Sequence, residues 1–207
     1  MNVDKNSPNN SEDNFNMGSG YLTNPLIFVI STIFSLYILA VMLRFMLQLC
    51  RASFRNPVAE ALVKITNPPL KPLRRFIPGT GGIDVASIVL LLLLQIAAIV
   101  FIGALKGSAL NPIVVFLSAV FELIDLVINV YLYGILIQVI VSWVAPSNYN
   151  PVLGMLNSLT EPVLGPARRL IPPLGGLDLS PLVAMVGLQV IKMLVDPLMP
   201  TLLALAL

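Results

Sequence analysis

Residues 56–95 read NPVAEALVKITNPPLKPLRRFIPGTGGIDVASIVLLLLLQ, and residues 150–189 read NPVLGMLNSLTEPVLGPARRLIPPLGGLDLSPLVAMVGLQ. Laid over one another at a shift of 94 positions, with no gap, the two segments share 18 of 40 residues. The identities form an ordered series. Asn56-Pro57 falls on Asn150-Pro151, Thr66 on Thr160, Pro68 on Pro162, Pro72 on Pro166 and Arg74-Arg75 on Arg168-Arg169. Ile77-Pro78 then falls on Ile171-Pro172, Gly81-Gly82 on Gly175-Gly176, Asp84 on Asp178 and Gln95 on Gln189. A series of that length kept in register is a duplication, so the chain is two tandem units.

Each copy is flanked by long apolar runs. Hydrophobic residues make up 57% of the chain and charged residues 11%, against about 25% charge in an ordinary soluble domain. A membrane helix needs about 20 apolar residues. Four stretches supply them, at 26–48, 84–105, 121–143 and 179–196. Asn24-Pro25 reads as the start of the first, and the leucine block Leu90 to Leu94 lies in the second. Trp143 stands at the end of the third, where an interfacial aromatic belongs. The fourth is interrupted by Lys192 and Asp196, and Pro197 and Pro200 bend or end it. The stretch from Pro112 to Trp143 exceeds one straight span, so its first part, with Glu122 and Asp125, is read as tilted or interfacial. The fold class is therefore all-α integral membrane, with four transmembrane helices in two tandem parallel helix–loop–helix hairpins. Residues 23–106 form the first repeat, 107–207 the second, and 1–22 a polar disordered tail of net charge −2, from Lys5 against Asp4, Glu12 and Asp13.

Basic residues set the orientation. The first long loop holds Arg51, Arg55, Lys64, Lys71, Arg74 and Arg75 against Glu60, and the second holds Arg168 and Arg169 against Glu161. Lys5 and Lys106 alone stand on the opposite side. Both loops are thus expected in the cytoplasm and both termini in the periplasm, with Arg44 snorkelling to the loop side. Because each copy has two spans, the copies enter the membrane in the same sense, related by an axis along its normal and not by inversion.

The repeated residues have local roles. Asn56-Pro57 and Asn150-Pro151 are N-cap and first helical position. Val58, Leu62 and Ile65, like Val152, Leu156 and Leu159, then share one helical face. Pro68 and Pro162 are expected to stop these helices, so each loop divides into two short amphipathic pieces lying on the membrane surface. Pro72 and Pro166 follow, and Gly81-Gly82 and Gly175-Gly176 supply tight turns. Arg74, Arg75, Arg168 and Arg169 are candidates for binding the phosphates of anionic lipids or a partner. Asp84 and Asp178 read as N-caps of the second and fourth spans. Gln95 and Gln189, about three turns into those spans, are placed to hydrogen-bond across the pseudo-axis.

This ordered series, Asn-Pro, Thr-x-Pro, Pro-x-Arg-Arg, Ile-Pro, Gly-Gly-x-Asp, resembles the YggT/YlmG family of small bacterial and plastid membrane proteins, from about Asn24 to the fourth span. The first copy departs from the pattern at Gly79-Thr80, where the second has Pro173-Leu174, and at Ser87, where the second has Pro181. The resemblance implies a protein of the bacterial inner membrane, linked to osmotic-stress tolerance, cell division or membrane and nucleoid organisation. It carries no catalytic residue to this chain.

The residues point the same way. The chain has no histidine and one cysteine, Cys50, which removes the usual general base and metal ligand and leaves no intrachain disulfide. No catalytic, cofactor or metal constellation is read, and an enzyme is not expected. The basic loops lack the aromatic interleaving of a nucleic-acid surface. The favoured reading is a structural or assembly factor whose loops hold anionic membrane lipids, with a homo-oligomer or a membrane or division protein as partner. The alternative is a small oligomeric channel or ion-coupled transporter. Lys192 and Asp196 lie four apart, and Glu122 and Asp125 begin the antiparallel third span, so all four can meet near the outer interface. The first copy has Ala98 and Ile102 in place of Lys192 and Asp196, and there the plain reading is a structural ion pair.

Overall fold

A computed structural model of the chain describes residues 10–79, 81–144, 151–170 and 178–206. The described residues are nearly all helical: α1 Asn10–Leu49, α2 Pro57–Phe76, α3 Val85–Leu105, α4 Pro112–Val144, α5 Pro151–Leu170, α6 Ser180–Val195 and α7 Leu198–Ala206. Among the described residues, four helices are long and apolar enough to cross a membrane, over Thr23–Leu49, Val85–Leu105, Pro112–Trp143 and Ser180–Leu202. Their outward faces carry large apolar side chains, among them Phe28, Ile33, Leu93, Tyr133, Val186 and Met193. So much exposed apolar surface is a lipid contact, not a solvent one.

Several boundaries differ from the sequence reading, each for a physical reason. Helix α1 runs back to Asn10, so residues 10–22 of the expected disordered tail are helical here, and Pro25 lies inside the helix. An established helix propagates at one bond per added residue, and a proline subtracts one bond without ending it. Helix α4 is a single 33-residue element of about 50 Å, longer than a hydrocarbon core of about 30 Å. Its first turns are therefore continuous with the span. Helix α6 stops at Val195, although Asp196 keeps a helical backbone (φ −52°, ψ −44°). Pro197 breaks the ladder and α7 restarts at Leu198.

The largest departure is in the loops. Each holds one 20-residue helix, with Pro68, Pro69 and Pro72 inside α2 and Pro162 and Pro166 inside α5. A proline withdraws the bond to the carbonyl four residues earlier. In α2, Pro69 frees the carbonyl of Ile65, and the Tyr37 hydroxyl of α1 donates to it at 3.4 Å. The neighbouring span thus supplies a donor that the prolines removed, and the helix continues.

The two copies build matching cores. Val41, Leu70 and Leu90 of the first are buried, as are Ile135, Leu164 and Ala184, which stand 94 positions later. Between the copies, α3 packs on α4, and the C-terminal end of α1 packs on α5. Among the described residues, neither mate that a two-fold would demand, α6 on α1 or α2 on α4, packs to a comparable extent.

Candidate functional site: the loop face and the polar cluster

Asn56 opens α2 with its Oδ1 accepting from Ala59 N at 2.8 Å, and Pro57 takes the first helical position. From there the helix presents three faces, each repeating at spacings of seven and four. Ala59, Thr66 and Leu70 are buried against the bundle. Val58, Ile65, Pro72 and Phe76 are exposed. Lys64, Lys71 and Arg75 are exposed on the third. An apolar strip beside a basic one is the arrangement of a helix lying at the headgroup boundary.

The first arginine of each pair is held within the chain. Arg74 donates from Nη2 to Asp84 Oδ2 and from Nε to Oδ1 at 3.4 Å. Arg168 donates from Nε to Asp178 Oδ2 at 3.4 Å and from Nη1 to Glu161 Oε2 at 2.8 Å. Both pairs span ten residues and tie the end of a loop helix to the start of the next span. Asp84 therefore does not act as the side-chain cap of α3; it takes Arg74 and the Ser87 hydroxyl, at 2.6 Å. Burial works to raise its carboxyl, and the hydrogen bonds from Arg74 and Ser87, with the Arg74 charge, outweigh it and hold it below the ordinary carboxylate range. Asp178 accepts from both the Ser180 amide (2.9 Å) and hydroxyl (2.5 Å). That hydroxyl is the main cause of its lowered pKa, burial opposes it, and Arg168 adds to it. Gly81 and Gly82 turn the first loop at φ +64° and +85°, which suits glycine. Asn150, Gly175 and Gly176 lie outside the described residues. Pro151 begins α5.

Sequence reading missed a second pair of contacts. Arg44 does not snorkel. It is buried, and its Nη1 donates to Thr66 Oγ1 at 2.7 Å and to the Val63 carbonyl at 3.3 Å. Ninety-four positions on stands Gln138, whose Oε1 accepts from the Thr160 hydroxyl at 2.5 Å. The signal was available: two polar residues at matching places in apolar spans, each aimed at the repeat's buried threonine.

At the other end of the bundle, Gln95 and Gln189 are not brought together. The Gln95 amide donates to Glu122 Oε2, while Gln189 is exposed on α6. The reason is the packing of α3 on α4, which places Gln95 beside the second copy's first span. Lys192 Nζ lies 2.6 Å from Asp125 Oδ1 and 3.0 Å from Asn129 Oδ1, and Asn129 Nδ2 donates to Asp125 Oδ2 at 2.8 Å. Glu122, Asp125 and Asp196 line one cavity of about 180 Å³. Another of about 350 Å³, between α1, α3 and the start of α4, is lined by Ser31, Ser35, Gln95, Lys106 and Glu122 among others. Among the described residues, no group of three or more His, Cys, Asp or Glu is placed to hold a metal ion.

Comparison with known proteins places this architecture. The family model described as CCB3/YggT matches twice, over residues 23–105 and 117–199. An uncharacterized protein of Pseudomonas aeruginosa is 45% identical over 176 residues, 84% of this chain and 89% of that protein. The uncharacterized protein YggT of Escherichia coli K12 is 36% identical over 171 residues, 82% and 88% of the two chains. The uncharacterized protein ycf19 of Guillardia theta is 35% identical over 70 residues, 33% of this chain but 77% of that one. No solved structure matches the chain.

Proposed function

The chain belongs to the CCB3/YggT family, and from that premise we propose that it is a non-enzymatic inner-membrane factor whose cytoplasmic loop face gathers anionic lipid. The roles that the family resemblance implies for such a factor are osmotic-stress tolerance, cell division or membrane organisation. The observation that carries the reading is the three-faced α2. One face is buried in the bundle, one is exposed and apolar, and one is exposed with Lys64, Lys71 and Arg75. Acyl chains suit the second face and headgroup phosphates the third. With Arg74 and Arg168 engaged by aspartates, contact with lipid falls first to Lys64, Lys71, Arg75 and, in the second copy, Arg169.

Each basic residue near an anionic surface is worth about 1 kcal/mol, so Lys64, Lys71 and Arg75 together supply about 3 kcal/mol, roughly a hundredfold in affinity. Native mass spectrometry of the full chain, released from membranes containing phosphatidylglycerol, reads this directly. Replacing all three by glutamine is expected to strip the retained anionic lipid while the helical content stays. Undiminished retention in a folded triple variant rejects the reading.

The polar cluster supports a second reading, a channel or ion-coupled transporter, because Glu122 faces both cavities within the span. Against it, Glu122 and Lys192 each have a partner inside the chain. Cation flux in proteoliposomes that disappears in Glu122→Gln favours transport; flux no greater than in empty vesicles removes it.

A further inference from the structure

The junction between the two copies is heterologous, and this leaves one unused half on each side of the molecule. The first copy contributes the Gln95 face of α3 and the end of α1. The second contributes the start of α4 and one flank of α5. There the Cys50 thiol donates to the Leu159 carbonyl at 3.8 Å, and Asn56 Nδ2 approaches Met155 Sδ at 3.4 Å. A heterologous contact uses two different surfaces, so each repeat retains the surface that its neighbour has used.

The retained surfaces are exposed at matching positions. Leu159, in the junction, is 4% exposed, and Ile65, its equivalent on α2, is 53% exposed. Leu123 and Leu126 of α4 pack into the core that α1 and α3 share; their equivalents on α1 are Val29, which is 52% exposed, and Thr32. Gln95 is bonded across the junction to Glu122, and Gln189 projects from the exposed side of α6 in mid-span. An amide facing hydrocarbon without a partner is costly. On α1 the residue matching Glu122 is Phe28, which is 69% exposed, while Ser31 and Ser35, matching Asp125 and Asn129, line the cavity of their own copy. The ycf19 relative matches over 70 residues that make up 77% of its length, about the length of one copy.

We propose that a second copy of this chain docks head to tail, its α1 and α2 packing on α6 and the loop-side end of α4 and so repeating between chains the junction seen within one. The surface shares Ile65 with the apolar strip of the lipid reading and uses none of the basic residues that reading tests, so the two are broken by different substitutions.

The test uses the full chain in native lipid particles, with Cys50→Ser as background. Differently tagged chains carrying Gln189→Cys or Phe28→Cys are co-expressed and oxidised. Head-to-tail docking gives a disulfide-linked pair bearing both tags, and little from either chain alone. Adding Ile65→Glu, a change at an exposed site, is expected to cut the linked fraction at least tenfold. Linkage of Gln189→Cys with itself in place of Phe28→Cys overturns the proposal in favour of a symmetric α6 contact. A particle mass of one copy for the unaltered chain, at every lipid ratio, overturns it outright.

Discussion

Helices α2 and α5 occupy the same place in their repeats, begin with the same Asn-Pro-Val and end in the same Arg-Arg, yet they live in different surroundings. The buried face is shared: Thr66 and Leu70 in one, Thr160 and Leu164 in the other. The second face is not. On α2 it is open at Val58, Ile65 and Phe76, whereas on α5 the end of α1 covers Leu159. The third face is basic on α2 and nearly uncharged on α5, where Ser158, Gly165 and Arg169 match Lys64, Lys71 and Arg75. A duplicated sequence therefore specifies the fold of each unit, and position in the tandem specifies what each unit touches.

The strongest way to break this comparison is to truncate the matched pair on the second face. Leu159→Ala removes a buried side chain and is expected to cost about 3 kcal/mol. Ile65→Ala is expected to cost less than about 1 kcal/mol in detergent that holds single copies. Unfolding of the two variants, followed by circular dichroism, measures the difference. Equal costs would show the two faces to be alike. A cost for Ile65→Ala that rises only in lipid particles sharpens the case for docking.

Next in size is the pair of Arg–Asp ties. The Asp84 side chain is 5% exposed and the Asp178 side chain 47%. Removing one partner of a buried pair strands the other, although Arg74 is 35% exposed and solvent screens part of that loss. Asp84→Asn is expected to cost about 2 kcal/mol, and Asp178→Asn below about 1 kcal/mol. The sign of the pH dependence follows from both carboxyls titrating lower in the folded chain than their ordinary values. Their stabilisation is complete above the unfolded value, near pH 4, and is lost as pH falls through the lower folded values. Acid melts of the parent chain should lose stability below about pH 4, with the loss blunted more by Asp84→Asn than by Asp178→Asn.

The braces at the buried threonines are a smaller contrast. Gln138 braces Thr160 by accepting from its hydroxyl where Arg44 donates to Thr66, and a glutamine at position 44 carries an amide N–H that can donate as the guanidinium does. Arg44→Gln is therefore expected to stay within about 1 kcal/mol of the parent, and Arg44→Leu, which leaves Thr66 and the Val63 carbonyl without their donor, to cost about 2 kcal/mol. Thermal melts in one detergent rank the two.

What the sequence made legible divides along the same lines. The four spans and the tandem arrangement are properties of composition and register, and both were readable. The extent of α2 was not, because Tyr37, in another element altogether, donates to a carbonyl that Pro69 frees. Which groups pair was equally hidden. Gln95 and Gln189 match in sequence, yet Gln95 meets Glu122 because the copies pack α3 on α4 and not about a two-fold. Asp84 has the residue type of a cap, and a ten-residue reach to Arg74 claims it first. Contacts within one turn are written locally, whereas those between elements need the packing.

The smallest expected effect transplants the basic face. Ser158→Lys places on α5 the charge that Lys64 carries on α2, at a site whose hydroxyl bonds only the Gly154 carbonyl of its own helix (2.9 Å). Stability should change by less than about 0.5 kcal/mol, as for surface substitutions generally. If the third face of a loop helix meets lipid headgroups in both copies, the added lysine raises retention of phosphatidylglycerol by about 1 kcal/mol, or roughly fivefold. If α5 is turned away from the headgroups by its contact with α1, the same lysine changes nothing while Lys64→Gln still weakens retention. Either result separates what the repeat encodes from what its neighbour imposes.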